Sequence, residues 1–366
     1  MGGLRAPRLK QREMVEFHFR RSLTLSSPDR WPGPLRWLSG LAEIPYALAV
    51  RRRNARFDRC GPRLRMPIPV VSVGNITVGG TGKTPVVIKL VQMLLEMGRR
   101  PAVIARGYRA APGQPNDEER IIQRACPGTI YVADPDRCAG AAVAHEVHGA
   151  DVLVLDDGFQ HRALARDLDL VLIDALCPFG FDHLLPRGLL REPVGSLARA
   201  GAVLLTRSDQ VDAESLAQIA ERIRPVLAGK PLLQCRHRLT SLETLEGEPM
   251  PLAVAKAMKG EHVALFAGIG RPEAFERTVR DLGVEDVGHR WFPDHHRFSP
   301  LDIERIEQEF PGVDWLLTTE KDAVKLSSGA FRHAKVAVVK VAIDMSDADA
   351  KMLRSLVGKA VARYPG

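Results

Sequence analysis

Short apolar runs separated by polar, turn-rich stretches recur along the chain, and their spacing predicts its architecture. "IPVVSV" (68–73), "PAVIAR" (101–106), "DVLVLDD" (151–157), "DLVLID" (169–174) and "AVLLTR" (202–207) are rich in Val, Leu and Ile and show no period-2 alternation. That is the pattern of strands covered on both faces. Helical patterns lie between them, notably at 83–99 and 137–149. Strands alternating with helices imply a parallel, doubly wound α/β sheet. At 228–262 the chain becomes polar and turn-rich, with an extended "LLQCRHRL" inside, which reads as a connection. A second α/β unit follows, with strand 263–270, helices 271–283 and 299–310, and strands 314–319 and 335–341. The expected units are a main domain at 67–227, a linker at 228–262 and a smaller C-terminal α/β domain at 263–366.

Residues 35–66 follow a different pattern. Leu35, Trp37, Leu38, Leu41, Ile44, Tyr46 and Leu48 run into an arginine cluster at Arg51, Arg52, Arg53 and Arg56. Arg36, Glu43 and Pro45 interrupt the segment, so no apolar run reaches the roughly 18 residues of a spanning helix. Aromatic and leucine side chains beside arginines suit a helix lying in an anionic membrane interface. An amphipathic helix packed on the protein's own core, with a solvated basic end, accounts for the same residues. Residues 1–34 read as a loose extension, neither a cleaved signal peptide nor a span.

Charge sharpens this division. Residues 1–66 carry 15 Lys+Arg against 5 Asp+Glu, whereas the remaining 300 carry 37 against 39. The chain is a near-neutral body with a basic front end, which can meet nucleic acid or an anionic membrane. With 45% hydrophobic and 26% charged residues the body is an ordinary globular chain. Five cysteines, an odd count without a CxxC pair, predict reduced thiols, a cytosolic compartment and neither a disulfide frame nor a zinc site.

The first strand runs into "GNITVGGTGKTP" (74–85). A strand, a glycine-rich turn and a helix start make an anion site, because missing Cβ atoms let backbone N–H groups wrap a phosphate. Thr77, Gly79, Gly80, Thr81, Gly82, Lys83 and Thr84 are therefore the candidate nucleoside-triphosphate-binding residues. Lys83 is placed to reach β- and γ-phosphate oxygens, and the Thr84 hydroxyl to reach Mg²⁺. Pro85 belongs in the first turn of a helix, where its missing N–H is no loss. The Walker A pattern has glycine five residues before Gly82; here Thr77 stands there, and Gly74 with the Gly79–Gly80 pair supplies the flexibility. Mg²⁺ usually takes a carboxylate at a neighbouring strand end. "DVLVLDDGFQH" offers Asp156 and Asp157 there, one for the metal and the other to support the site. The fold expected is thus a P-loop NTPase-like sheet with a second, smaller domain.

Seven signatures stand in one order: "GNITVGGTGKTP", "RGYR" (106–109), "DDGFQH" (156–161), "LLPRGLLREP" (184–193), "GIGRPEAF" (268–275), "FPDHHRF" (292–298) and "TEKDAVK" (319–325). Together, over about residues 35–345, they resemble the tetraacyldisaccharide 4'-kinase family of lipid A biosynthesis. The resemblance implies transfer of the γ-phosphate of ATP to the 4'-hydroxyl of a tetraacyl glucosamine disaccharide 1-phosphate. It implies work at the cytoplasmic face of the Gram-negative inner membrane, and two domains joined by a two-stranded linker. It also implies that Glu192 lies near the metal with Asp156 and Asp157. By the same resemblance Asp117, in "PNDEER", corresponds to the family's catalytic acid, although Asn116 and Glu119 replace a Gly and a Pro of its motif. His295 corresponds to the histidine that supports it.

On this reading Asp117 takes the proton of the sugar hydroxyl, His295 orients it, and Lys83 with Mg²⁺ stabilises charge. Asp117 and Glu118 as solvated loop charges are the plainer alternative. Arg106, Arg109, Arg162 and Arg191 are candidates to grip the substrate's phosphate, surface ion pairs being the other reading. "TEKD" reads as a helix start capped by Thr319. Two other classes compete with this reading: a P-loop GTPase or metallochaperone switch, for which no clear guanine-reading motif is present, and a nucleic-acid-binding ATPase. Aromatic residues are only 5% and the basic excess stops near residue 66, so no nucleic-acid partner is expected.

Overall fold

A computed structural model describes residues 31–107, 115–251, 261–284, 287–327 and 329–364, together with Pro28, Val254 and Met258. Arg109 and most of the 1–34 extension, all of residues 1–30 but Pro28, lie outside the described residues.

The apolar runs form the strands their pattern predicts. In the larger body these are β1 (Val70–Asn75), β2 (Pro101–Ala105), β3 (Ile130–Ala133), β4 (Val152–Asp156), β5 (Leu168–Asp174), β6 (Ala202–Thr206) and β7 (Leu232–Gln234). They pair in the order β3-β2-β4-β1-β5-β6-β7, all parallel. β1, β2, β4 and β6 are buried at every position, as expected of strands sandwiched between helices. β3 ("IYVA") is a half-exposed edge strand outside the runs named above. β1 lies between β4 and β5, so the carboxyl ends of the central strands open one crevice, where open α/β sheets take ligands.

The second sheet contains β8 (Arg236–Glu243), β9 (Pro249–Met250), β10 (Val263–Ala267), β11 (Val287–Trp291), β12 (Trp315–Thr319) and β13 (Lys335–Asp344), in the order β11-β10-β12-β13-β8-β9. β8 runs antiparallel to β13, from Val338↔Glu243 to Asp344↔Arg236. The linker expected at 228–262 is therefore shared: β7 closes the first sheet, and one residue later β8 joins the second. β8 and β13 form the two-stranded crossing between the bodies.

The C-terminal helix, Asp347–Val361, departs from the expected domain boundary. Leu353, Val357, Ala360 and Val361 join the core that holds Val71, Leu90 and Leu170 of the larger body. Their spacing puts all four on one helical face. The domain at 263–366 thus loses its last helix to the main domain, and the chain crosses between the bodies twice.

The basic arm is one 28-residue helix, α1 (Gly33–Cys60), which runs through Pro45. Trp37, Leu38, Leu41, Ile44 and Leu48 are exposed on it. Other positions tie it down. Glu43 accepts from the Leu184 amide at 2.7 Å, Tyr46 donates to the Arg191 carbonyl at 3.1 Å, and Arg53 pairs with Glu192 at 2.7 Å. Among the described residues no helix is long and apolar enough to cross a membrane.

Candidate active site

Gly82, left-handed at φ 81°, starts helix α2 (Lys83–Glu96), with Pro85 in its first turn. Gly79 is also at positive φ. Both are conformations that cost an L-residue about 1 kcal/mol or more. The turn is held from the end of β6. Thr206 donates its hydroxyl to the Thr81 carbonyl at 3.0 Å, and Arg207 donates to the Gly80 carbonyl at 3.0 Å. The amides of the first helical turn have no intrahelical partner and face the crevice as donors. A cavity of about 650 Å³ opens there, lined by residues 77–85, Asp157, Arg191 and His237 from the first body and crossing, and by Gly270, Arg271, His295 and Lys321 from the second.

The acidic pair ends β4. Asp156 is buried, and its Oδ1 has no hydrogen-bond partner among the described residues. Burial pushes its carboxyl up to about 6, with Lys83 opposing the shift and Asp157 adding to it. Asp157 sits at φ 52° and meets Arg191 at 2.8 Å and Lys83 at 3.5 Å. Burial would raise it too, but these two cations outweigh burial and hold it at about 2. One carboxylate is thus neutralised by side chains and its neighbour is not. Hard oxygen donors with an orphaned buried oxygen fit Mg²⁺, with Thr84 lining the same cavity.

Glu192, expected near the metal, is engaged elsewhere. Its side chain is fully buried, with Oε1 paired to Arg53 at 2.7 Å and Oε2 to Arg199 at 2.7 Å and Asn54 at 3.0 Å. A carboxylate already neutralised by two guanidinium groups is a poor ligand for a dication, so Glu192 here fastens the arm to the body. Its neighbour Arg191 does reach the cavity. Arg162, expected at the substrate, likewise holds the arm through Asp58 at 2.6 Å and the Asn54 carbonyl at 3.0 Å. Arg106 is exposed beyond the end of β2.

Asp117 is not in a solvated loop. It opens helix α3 (Asp117–Ala125), capped by Asn116, whose side chain accepts from the Glu119 amide at 2.7 Å. The second body brings His295 to it. His295 Nδ1 lies 3.8 Å from Asp117 Oδ2, and Lys325 lies 4.0 Å from the same oxygen. Burial works to raise the Asp117 pKa, but His295, Lys325 and Lys321 together lower it below the usual carboxylate value. His296 faces elsewhere, bonding Asp302 at 3.2 Å and stacking on Phe292. Thr319 caps its short helix as expected, its hydroxyl donating to Asp322 at 2.8 Å.

Several residues in and around the cavity carry no sequence signal. Asp174, at the end of β5 and almost fully buried, is shared by Arg207 at 2.8 Å and Arg271 at 2.9 Å, which joins the two bodies behind the phosphate turn. His237, on β8, packs so closely on the turn that a Cβ at Gly82 would come within 2.5 Å of its ring. Burial pushes its imidazole down to about 3. Arg137 is buried, and Asp157, Asp156, Arg106 and Arg191 all act on its charge. The Asn116 cap followed by three acidic residues was legible as a helix start.

A glycine turn of this kind, at the carboxyl edge of a parallel sheet and beside an acidic pair, defines a P-loop nucleotide-binding protein. The family model described as "Tetraacyldisaccharide-1-P 4'-kinase", LpxK, matches residues 35–360. The chain belongs to that family, and it is a phosphotransferase. It is 41% identical over 348 residues to the tetraacyldisaccharide 4'-kinase of Anaeromyxobacter sp. (strain K), covering 88% of this chain and 89% of the relative. It is 38% identical over 327 residues to that of Syntrophus aciditrophicus, covering 82% and 87%. The fold is similar to a crystal structure of LpxK from Aquifex aeolicus in complex with ATP, with TM-score 0.67 and 28% identity over 87% of this chain and 97% of that one.

Proposed function

We propose that this chain transfers the γ-phosphate of ATP to the 4'-hydroxyl of an acylated glucosamine disaccharide 1-phosphate, at an anionic membrane surface. The observation that carries this reading is the meeting of Asp117 and His295, from different bodies, beside a phosphate turn. A switch protein needs no base at that place; a kinase with an alcohol acceptor does.

The phosphates of ATP lie on the amides of the turn and the start of α2, with Lys83 on the transferring group. Mg²⁺ would be held by Thr84 and Asp156, with Asp157 supporting the site through Lys83 and Arg191, and would supply charge neutralisation when bound. Asp117 is ionised at neutral pH, so it can accept a proton. As the sugar oxygen bonds to the γ-phosphorus, the hydroxyl proton passes to Asp117, the bond from that phosphorus to its bridging oxygen breaks, and its electron pair leaves with ADP. His295 orients the carboxylate. Closure of the second body over the first brings the pair together and excludes water. Arg191 and Arg106, with Arg109 of the same "RGYR" signature, are the candidates for the substrate's phosphate. The exposed face of α1 meets the membrane where such a substrate resides.

The test uses labelled ATP with a tetraacyldisaccharide 1-phosphate in mixed micelles. Asp117→Asn and His295→Ala should each lower kcat by roughly 10²–10⁴ while ATP still binds. Variants that stay folded, bind ATP and keep most of the activity would overturn the assignment.

A further inference from the structure

The ring of His295 has two ends, and only one faces Asp117. The other, Nε2, lies 3.2 Å from the ammonium of Lys321. Lys321 stands in the first turn of the short helix Glu320–Ala323, and its second partner is Asp294 Oδ1 at 3.0 Å. Asp294 Oδ2 is 3.9 Å from Nε2, beyond hydrogen-bond reach. An ammonium group has donors and no lone pair. Its contact with Nε2 is therefore attractive only if that nitrogen carries a lone pair; an N–H there would set two donors against each other at 3.2 Å.

We propose that Lys321 is a positioning residue for phosphotransfer: by donating to His295 Nε2 it selects the tautomer with its proton on Nδ1, the nitrogen that faces Asp117. This deepens the reading above and rests on it. A neutral imidazole holds one proton, so fixing the acceptor end fixes the donor end. The Nδ1–H then points at the carboxylate that must hold its lone pair toward the sugar hydroxyl. The present 3.8 Å becomes a hydrogen bond when the cleft closes by about 1 Å. The device spans three layers: Asp294 holds Lys321, Lys321 sets His295, and His295 aims Asp117. The backbone supports it, because His295 is in the left-handed region at φ 62° with its amide bonded to the Gly268 carbonyl at 3.0 Å, which fixes the main chain from which the ring projects. Lys321 needs no contact with the sugar to act in this way.

The experiment is a long-range ¹⁵N–¹H spectrum of the imidazoles in the full chain, with the His295 signals assigned from their loss in His295→Gln. Kinetics are measured on Lys321→Met and Lys321→Arg. The expected wild-type spectrum shows His295 protonated on Nδ1. In Lys321→Met the population moves toward Nε2–H, kcat falls by roughly tenfold or more, and KM for ATP stays within about twofold, since a lost orienting bond lowers proton transfer and not nucleotide binding. Lys321→Arg, also a pure donor, restores the Nδ1–H signal. A wild-type His295 protonated on Nε2, or a tautomer unmoved by Lys321→Met, overturns the proposal. So does a higher KM for ATP with an unchanged spectrum, which would make Lys321 a phosphate contact. A shifted tautomer with unchanged kcat would uphold tautomer selection by Lys321 but overturn its part in phosphotransfer, and the Asp117–His295 reading with it.

Discussion

Asp156 makes a demanding prediction, because its substitution should raise stability while removing activity. Its carboxyl moves from 3.8 to about 6 on folding, chiefly through burial. A displacement of about 2 units at ~1.4 kcal/mol each sets a ceiling of about 3 kcal/mol on what its charge costs the ligand-free fold at neutral pH. Lys83 would lose one of its two carboxylate neighbours, which reduces the net gain from Asp156→Asn to about 1–3 kcal/mol. The shape is kept, and since Oδ1 already lacks a partner, the new amide adds little unsatisfied polarity. The sign follows from which state binds the proton. The folded-state pKa is the higher one, so the penalty is full above pH about 6, roughly halved at pH 5, and gone below about 4. Thermal unfolding with EDTA and without nucleotide should show Asp156→Asn melting above wild type at pH 8. For a domain of this size the shift is about 2–4 °C per kcal/mol. The gap should narrow by about half at pH 5. Phosphotransfer should meanwhile fall by roughly 10² or more, the stability–function opposition expected of a buried charge kept for catalysis. A variant that melts below wild type at pH 8, or a gap that ignores pH, would refute the reasoning.

Other perturbations test other joints of the structure. Gly82→Ala places a Cβ at positive φ and within 2.5 Å of His237, so ATP affinity should drop by tenfold or more; adding His237→Ala should recover only the steric part, as calorimetric titration with ATP would show. Glu192→Gln leaves Arg53 and Arg199 without their buried counter-charge, which costs about 3 kcal/mol and should loosen α1. Limited proteolysis would then cut within residues 33–60 faster than in wild type, and equal cutting rates would count against the anchor. Leu41→Glu with Ile44→Glu changes only exposed positions. It should leave the melting temperature within a few degrees and weaken flotation with anionic vesicles by more than tenfold; unchanged flotation would remove α1 from the membrane reading.

Much of this molecule was legible in its residues because the relevant physics is local. Val- and Leu-rich runs without alternation specify strands buried on both faces, and β1, β2, β4, β5 and β6 are where those runs fall. "GGTGKTP" specifies its own turn, since glycine allows Gly79 and Gly82 their positive φ and proline can only sit in a first helical turn. Thr319 caps its helix through a side chain three residues from its partner. What stayed hidden depends on distance in space. The stripe Leu353–Val357–Ala360–Val361 announces an apolar helix face, but a face does not name the sheet that covers it, and only the fold returns it to the larger body. Glu192 resembled a metal ligand until Arg53 and Arg199 closed on it. Asp117, near the sheet's edge, and His295, in another body, meet only because β8 and β13 cross between the two sheets. Periodicity and turn chemistry act over a few residues, whereas charge pairing and pKa depend on which groups the whole chain brings within about 4 Å.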